Sequence, residues 1–181
     1  MQKQTKYHII LNLNVYFWFQ SNLNIHNMLS NASKYAIRAV LFLAENSSFS
    51  DKYGAKRISE DLEIPLPFIA KLLQQLSKNG IISSVKGPKG GFYTSQIDLQ
   101  NNVCDILNVI EKQNIFAGCF MGLPRCSDEN PCPVHHIVAP FKEALLDKFK
   151  NQSIADFAQE IKTNGAYLSL KGINFDGDSL K

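Results

Sequence analysis

The 181-residue chain has little from which to build a membrane span or an export signal. Its apolar opening, Ile9 to Phe19, is broken by Asn12 and Asn14 and followed by Gln20, Asn22 and Asn24. A spanning helix needs about 20 predominantly apolar residues. Lys3 and Lys6 imitate the basic start of a signal peptide, but no small-residue cleavage site follows the apolar stretch. Residues 1–27 are therefore expected to lie outside the fold, as a loose tail or as upstream sequence read through ahead of a start at Met28. A cytoplasmic protein with no membrane partner is the expectation.

Cysteine is scarce too, at four residues, of which Cys119, Cys126 and Cys132 are clustered. Nothing argues for export, where disulfides persist, and three clustered cysteines leave one unpaired. A Cys–His nucleophile pair would need a third orienting group and oxyanion donors, and neither is evident, so an enzyme is not expected. The net charge of +3 decides little. The local absence of acid decides more: residues 71–92 contain four lysines and no aspartate or glutamate. Such a segment suits a polyanion.

That segment belongs to the most legible stretch of the chain, PLPFIAKLLQQLSKNGIISSVKGPKGGF at 65–92. Ile69, Leu72, Leu73 and Leu76 stand at the i, i+3, i+4, i+7 spacing of a helix with one buried stripe, which leaves Lys71, Gln75 and Lys78 facing outward. Pro67 suits the first turn, where its missing N–H costs nothing, and Asn79-Gly80 supplies the stop. Ile81, Ile82 and Val85 with Tyr93 and Thr94 then read as two short strands. Their connection, Lys86-Gly87-Pro88-Lys89-Gly90-Gly91, reads as a wing whose glycines admit close backbone approach and whose lysines carry charge.

Upstream, MLSNASKYAIRAVLFLAEN puts Ile37, Val40, Leu41 and Ala44 on one helical face, with Ser30 or Ser33 as cap. Residues 46–54 form a loop and RISEDL at 57–62 a short helix, spaced from the next helix as in a helix-turn-helix. Three helices and a hairpin make a winged helix-turn-helix. The fold class expected is mainly α with a small β-hairpin wing, followed by a long C-terminal dimerisation helix. Beyond the wing, 98–113 reads as a helix with Val103, Ile106, Leu107 and Ile110 on its apolar face and Cys104 as a core residue.

The segment CFMGLPRCSDENPCPVHH, 119–136, offers three convergent thiolates in a loop rich in glycine and proline. Cys132 and His135, three apart at a helix start, share a face and can meet at one site. His136 points elsewhere. Spacing alone leaves zinc, an iron–sulfur cluster and unliganded redox thiols all open.

The phrases MLSNASKYAIRAV, RISEDLEIPLPFIAKLLQQLSKNGIISSVKGPKGGF and CSDENPCPVHHIVAPFKEAL resemble the Rrf-two family of bacterial winged-helix transcription regulators, the family of IscR and NsrR. The likeness runs from residue 28 to about residue 162. It implies a homodimer on a palindromic stretch of double-stranded DNA and, in several members, a cluster whose state alters DNA affinity. The family's three cysteine ligands fall at Cys119, Cys126 and Cys132, and the histidine ligand of a two-iron two-sulfur cluster falls at His135. Zinc, or no cofactor, are the alternatives. Where relatives use an aspartate of the partner's first helix, this chain has Lys34, which cannot replace it. Six residues separate Cys119 from Cys126, where relatives usually have five. Ala70 and Lys71 stand where the cluster-biogenesis regulators have Glu and Gln, so their operator sequence is not assumed for this chain.

The expected organisation is a DNA-binding domain at 28–113, a cysteine-rich sensor loop at 114–136, dimerisation and closing helices at 137–162 and a flexible tail at 163–181. Val134, Ile137, Val138, Phe141, Leu145 and Phe149 mark the stripe by which the long helix would meet its twin. Ile154, Phe157, Ala158 and Ile161 mark a shorter helix closing over it. On DNA, Pro67, Lys71 and Gln75 belong to the recognition helix, with Lys71 and Gln75 facing base edges. Lys86, Gly87, Lys89 and Gly90 of the wing meet the backbone or minor groove.

Overall fold

A computed structural model describes residues 28–111 and 116–169. The expectations for residues 1–27 and for 170–181 lie outside that range. Helix α1, Asn31–Asn46, starts where Ser30 accepts the Ser33 N–H at 3.1 Å. Its buried face is centred on Ser33, Ala36, Ala39, Val40 and Leu43, and Ile37 and Ala44 fall to half-buried flanks. Scoring large apolar residues missed this rotation. The small residues Ala36 and Ala39 are fully buried because several helices crowd around α1.

Helix α2, Ala55–Leu62, ends at Glu63, whose φ of 55° makes it the one non-glycine left-handed residue among those described. Helix α3, Leu66–Lys78, follows after one turn, with Pro67 in its first turn and Gly80 at φ 73° beyond its end. Ile69, Leu72, Leu73 and Leu76 are all buried. Each such side chain contributes about 1.5–3 kcal/mol by leaving water. Strands β1, Ser83–Val85, and β2, Gly91–Tyr93, pair antiparallel with Ser84 opposite Phe92. Ile81 and Ile82, expected in the first strand, instead precede it and are buried in the core. Tyr53 and Phe92 exchange two 2.9 Å backbone hydrogen bonds, so the loop before α2 supplies a third partner to the wing.

The helix expected over 98–113 is split. A 3₁₀ turn, Asp98–Gln100, is followed by α4, Val103–Ile110, where Asn102 and Asp105 cap each other's backbone N–H groups. Cys104 is half-buried rather than enclosed, and burial and the neighbouring Asp105 push its thiol pKa up. Ser33 donates a 2.6 Å hydrogen bond to Glu111, which ties the first turn of α1 to the residue following α4.

Helix α5, His135–Asn151, buries none of its 17 residues within the chain. Helix α6, Ile154–Asn164, carries a reciprocal Ser153–Asp156 cap and ends at Gly165 with φ 62°. Expected to close over α5, it lies chiefly on α1, into which Ile154 and Ala158 are buried. Only the end of α5 reaches it, through Lys148–Glu160 at 2.9 Å and an edge-on Phe149–Phe157 contact. The flexible tail was expected from 163 onward, and the described residues cover it only as far as 169. Residues 163–164 are helical, and Arg38 donates to the carbonyls of Leu168 and of Leu62, drawing the chain back against α1 and α2. Among the described residues, no helix is long and apolar enough to cross a membrane.

Candidate nucleic-acid interface and metal centre

The stripe that buries α3 fixes what it shows to solvent. Pro67, Lys71 and Lys78, all three exposed, lie away from the core, as their phase requires. Gln75 does not: it is half-buried and donates its side-chain N–H to the Val109 carbonyl of α4. The carboxamide expected to face a base edge thus already has an internal acceptor. Gln74, one residue earlier, is the exposed glutamine. Phe68 stands edge-on to Tyr35 with ring centres 5.6 Å apart, which fixes the amino-terminal turn of α3 against α1.

At the wing, Lys86, Gly87 and Lys89 are exposed and Gly90 is half-buried. Gly87 has φ 106°, a conformation that side chains rarely adopt. At Gly90 a Cβ would fall 2.2 Å from the Val85 carbonyl oxygen, so the tight return requires glycine there. Among the described residues, Lys71, Lys86 and Lys89 have no ion-pair partner. Their charge is left for an external anion.

Sequence reasoning missed Arg57. Its guanidinium lies 3.9 Å from the centre of the Tyr53 ring and donates to the Tyr53 hydroxyl at 3.1 Å. Because Tyr53 also pairs with Phe92, a cation on α2 is coupled to the wing. The i, i+4 interval of Tyr53 and Arg57 was a signal, hidden because Tyr53 lies just outside the helix.

The second constellation forms where the chain enters α5. The sulfurs of Cys119, Cys126 and Cys132 all lie within 4.8 Å of one another, and Cys132 is buried. Turns gather them: the Gly122 amide donates to the Cys119 carbonyl at 3.0 Å, and Ser127 and Asn130 bond reciprocally. His135, the first residue of α5, donates its backbone N–H to the Cys132 carbonyl at 2.9 Å. That bond turns its ring toward the sulfurs, with Nδ1 at 3.1 Å from Cys126 Sγ. Nε2 meets Asp128 Oδ1 at 2.9 Å, a partner the sequence did not reveal. The ring of His136 stands edge-on to that of His135, and neither imidazole belongs to the mutually close group of sulfurs.

Lys142, two turns along α5, donates to the carbonyls of Phe116 and Gly118 and holds the incoming arm of the loop. The three cysteines, His135 and Lys142 border a cavity of about 170 Å³. Burial pushes the Cys119 thiol up, but the Leu123 and Met121 amides and the Cys126 and Cys132 thiols outweigh it and bring the pKa down to about 7. The Cys132 amide pulls Cys126 down, yet burial and its two cysteine neighbours leave it raised. Ionisation is thus concentrated on one sulfur first, as expected of thiols that repel each other's charge. Three thiolates and an imidazole are the donors that a zinc ion or an iron–sulfur cluster takes; here the three sulfurs converge, and the His135 imidazole stands beside Cys126 outside that mutual group.

Comparison with known proteins gives a consistent picture. The Rrf2 family model, described as an iron-dependent transcriptional regulator, matches residues 29–160. An HTH-type transcriptional regulator of Aquifex aeolicus (strain VF5) is 34% identical over 131 residues, covering 71% of this chain and 90% of the relative. The HTH-type transcriptional regulator IscR of Klebsiella pneumoniae (strain 342) is 27% identical over 135 residues, covering 74% and 82%. Among solved structures, T. potens IscR aligns with a TM-score of 0.55 at 20% identity, covering 77% of this chain and 91% of that one. CymR, the global cysteine regulator of B. subtilis, aligns with a TM-score of 0.55 at 15% identity, covering 72% and 95%. The last two support the fold alone.

Proposed function

The chain belongs to the Rrf2 family of transcriptional regulators, and from that premise we propose that it binds a palindromic operator as a homodimer and senses iron–sulfur, redox or nitric oxide status. The sensing group is a two-iron two-sulfur cluster. The observation that carries the sensing role is the meeting of three cysteine sulfurs within 4.8 Å beside the His135 imidazole. Cys119, Cys126, Cys132 and His135 would hold the cluster, which when bound supplies reversible redox chemistry in a site shielded on one side by buried Cys132.

The remaining roles belong to the chain itself. Asp128 orients the His135 ring and leaves Nδ1 toward the sulfurs, the usual task of a carboxylate behind a ligating imidazole. Lys142 fixes the loop to α5. Helix α5 exposes Ile137 at 75% and Phe141 at 55%, and a second copy of the same helix is the partner that would cover them. Pairing there would set two α3 helices in major grooves about 34 Å apart, with Lys86 and Lys89 on phosphates. Because the cysteine loop leads directly into α5, a change at the loop would alter the pose of the two DNA-reading units. Such a switch requires different DNA affinity in the two states.

Anaerobic purification followed by iron, sulfide and zinc analysis, and by duplex binding before and after chelation, tests the reading. Iron with acid-labile sulfide, and a change in affinity on chelation, are expected. Zinc without sulfide would leave a structural metal module, and neither metal an apo or thiol-based regulator. Equal affinity of the two forms would end the sensing role and keep the regulator.

A further inference from the structure

The outward face of α3 carries a residue whose chemistry the proposed function has not used. Ile69, Leu72, Leu73 and Leu76 point into the core. At about 100° per residue, the direction opposite them is held by Pro67, Lys71, Gln74 and Lys78, all of them exposed. Pro67 has no donor to offer, and the lysines are point charges that suit phosphate or guanine. Gln74 alone on this line presents a donor and an acceptor together.

Its neighbour shows what keeps it available. The Gln75 carboxamide is committed to the Val109 carbonyl, whereas Gln74 has no hydrogen-bond partner among the described residues. The surroundings are those of a site pressed against a polyanion, since residues 71–92 hold no acidic side chain. A carboxamide brought to the floor of a major groove matches adenine, donating to N7 and accepting from the N6 amino group. Resting on the reading of the chain as an operator-binding regulator, we propose that Gln74 is a specificity-determining residue that reads an adenine in each half-site.

The test starts from a random-sequence duplex library of about 20 base pairs, selected with the full chain, followed by binding to the enriched duplex at fixed salt. Replacing the critical adenine by 7-deazaadenine removes the N7 acceptor alone, and wild type is expected to weaken about tenfold. Gln74→Ala should weaken by a similar factor on the natural duplex and be indifferent to the deaza base. Gln74→Glu should move the preference at that position from adenine to cytosine, whose N4 amino group donates to a carboxylate. Gln75→Ala should keep the enriched sequence and lower thermal stability instead.

If Gln74→Ala enriches the same sequence and retains the deaza penalty, the inference is overturned while the regulator reading stands. If wild type enriches no sequence at all, both fall together.

Discussion

Asp128 Oδ1 lies 2.9 Å from His135 Nε2, on the opposite side of the ring from Cys126 Sγ, which faces Nδ1 at 3.1 Å. The imidazole is thus gripped at one nitrogen and offered at the other. Removing the negative charge of Asp128 while keeping its shape should loosen that grip. Asp128→Asn is expected to lower metal or cluster retention about 10–100-fold, measured as iron or zinc per chain after graded exposure to chelator. The thermal midpoint of the metal-free chain should barely move, because Asp128 is 95% exposed.

The wing lysines are expected to act through charge alone. Lys86→Ala with Lys89→Ala should flatten the log–log dependence of duplex affinity on salt by roughly 1 for each phosphate no longer neutralised. Selectivity among sequences should persist. A slope equal to that of wild type would remove the wing from the interface.

Helix α5 supplies the test of assembly. Ile137→Glu with Phe141→Glu places two charges on the exposed apolar stripe and should convert the proposed dimer to monomer in sedimentation equilibrium. Neither side chain is buried in the chain, so the far-ultraviolet circular dichroism of the variant should be that of wild type. A wild-type chain that is already monomeric would refute the proposed assembly.

The start of α6 carries a pH dependence of definite sign. The Ser153 hydroxyl, and then its backbone N–H, hold the Asp156 carboxyl below its ordinary value of 3.8. A depressed folded-state pKa contributes stability that is present above the unfolded value and is lost as pH falls through the folded one. The thermal midpoint of wild type should therefore exceed that of Asp156→Ala near neutrality, and the gap should close on acidification below about pH 4. A gap that stays constant across this range would assign the cap to backbone geometry instead of charge.

Much of this was legible because it is local. The stripe of α3, Pro67 in its first turn, Gly80 after its end and the glycine-tipped hairpin are all written in residues a few positions apart. The Asn102–Asp105 box that splits the helix expected over 98–113 was equally local, and was overridden by the apolar spacing of Val103, Ile106 and Leu107. The outward line of α3 was legible too, since Gln74 lies nearer than Gln75 to the direction opposite the buried stripe. What settles the matter is the Val109 carbonyl, 34 positions away, which no periodicity reports.

Other features depended on tertiary neighbours. The buried face of α1 follows from the helices that crowd it, not from the size of its side chains. The contact of Asp128 with His135 depends on the path of an irregular loop. The three cysteines could be grouped from their spacing and a family likeness, but their mutual distance, and the concentration of acidity on Cys119, required coordinates.

Arg38 reaches from the middle of α1 to the last carbonyl of α2 and, on another of its nitrogens, to Leu168 near the end of the described chain. One guanidinium therefore staples the carboxyl-terminal segment to the corner between α1 and α2. Any fragment engineered to isolate the reading head by stopping at Asn164 would strip that staple and leave its donors to water. A fragment kept through Ser169 preserves it, and a purification handle is better placed beyond that point than in place of it.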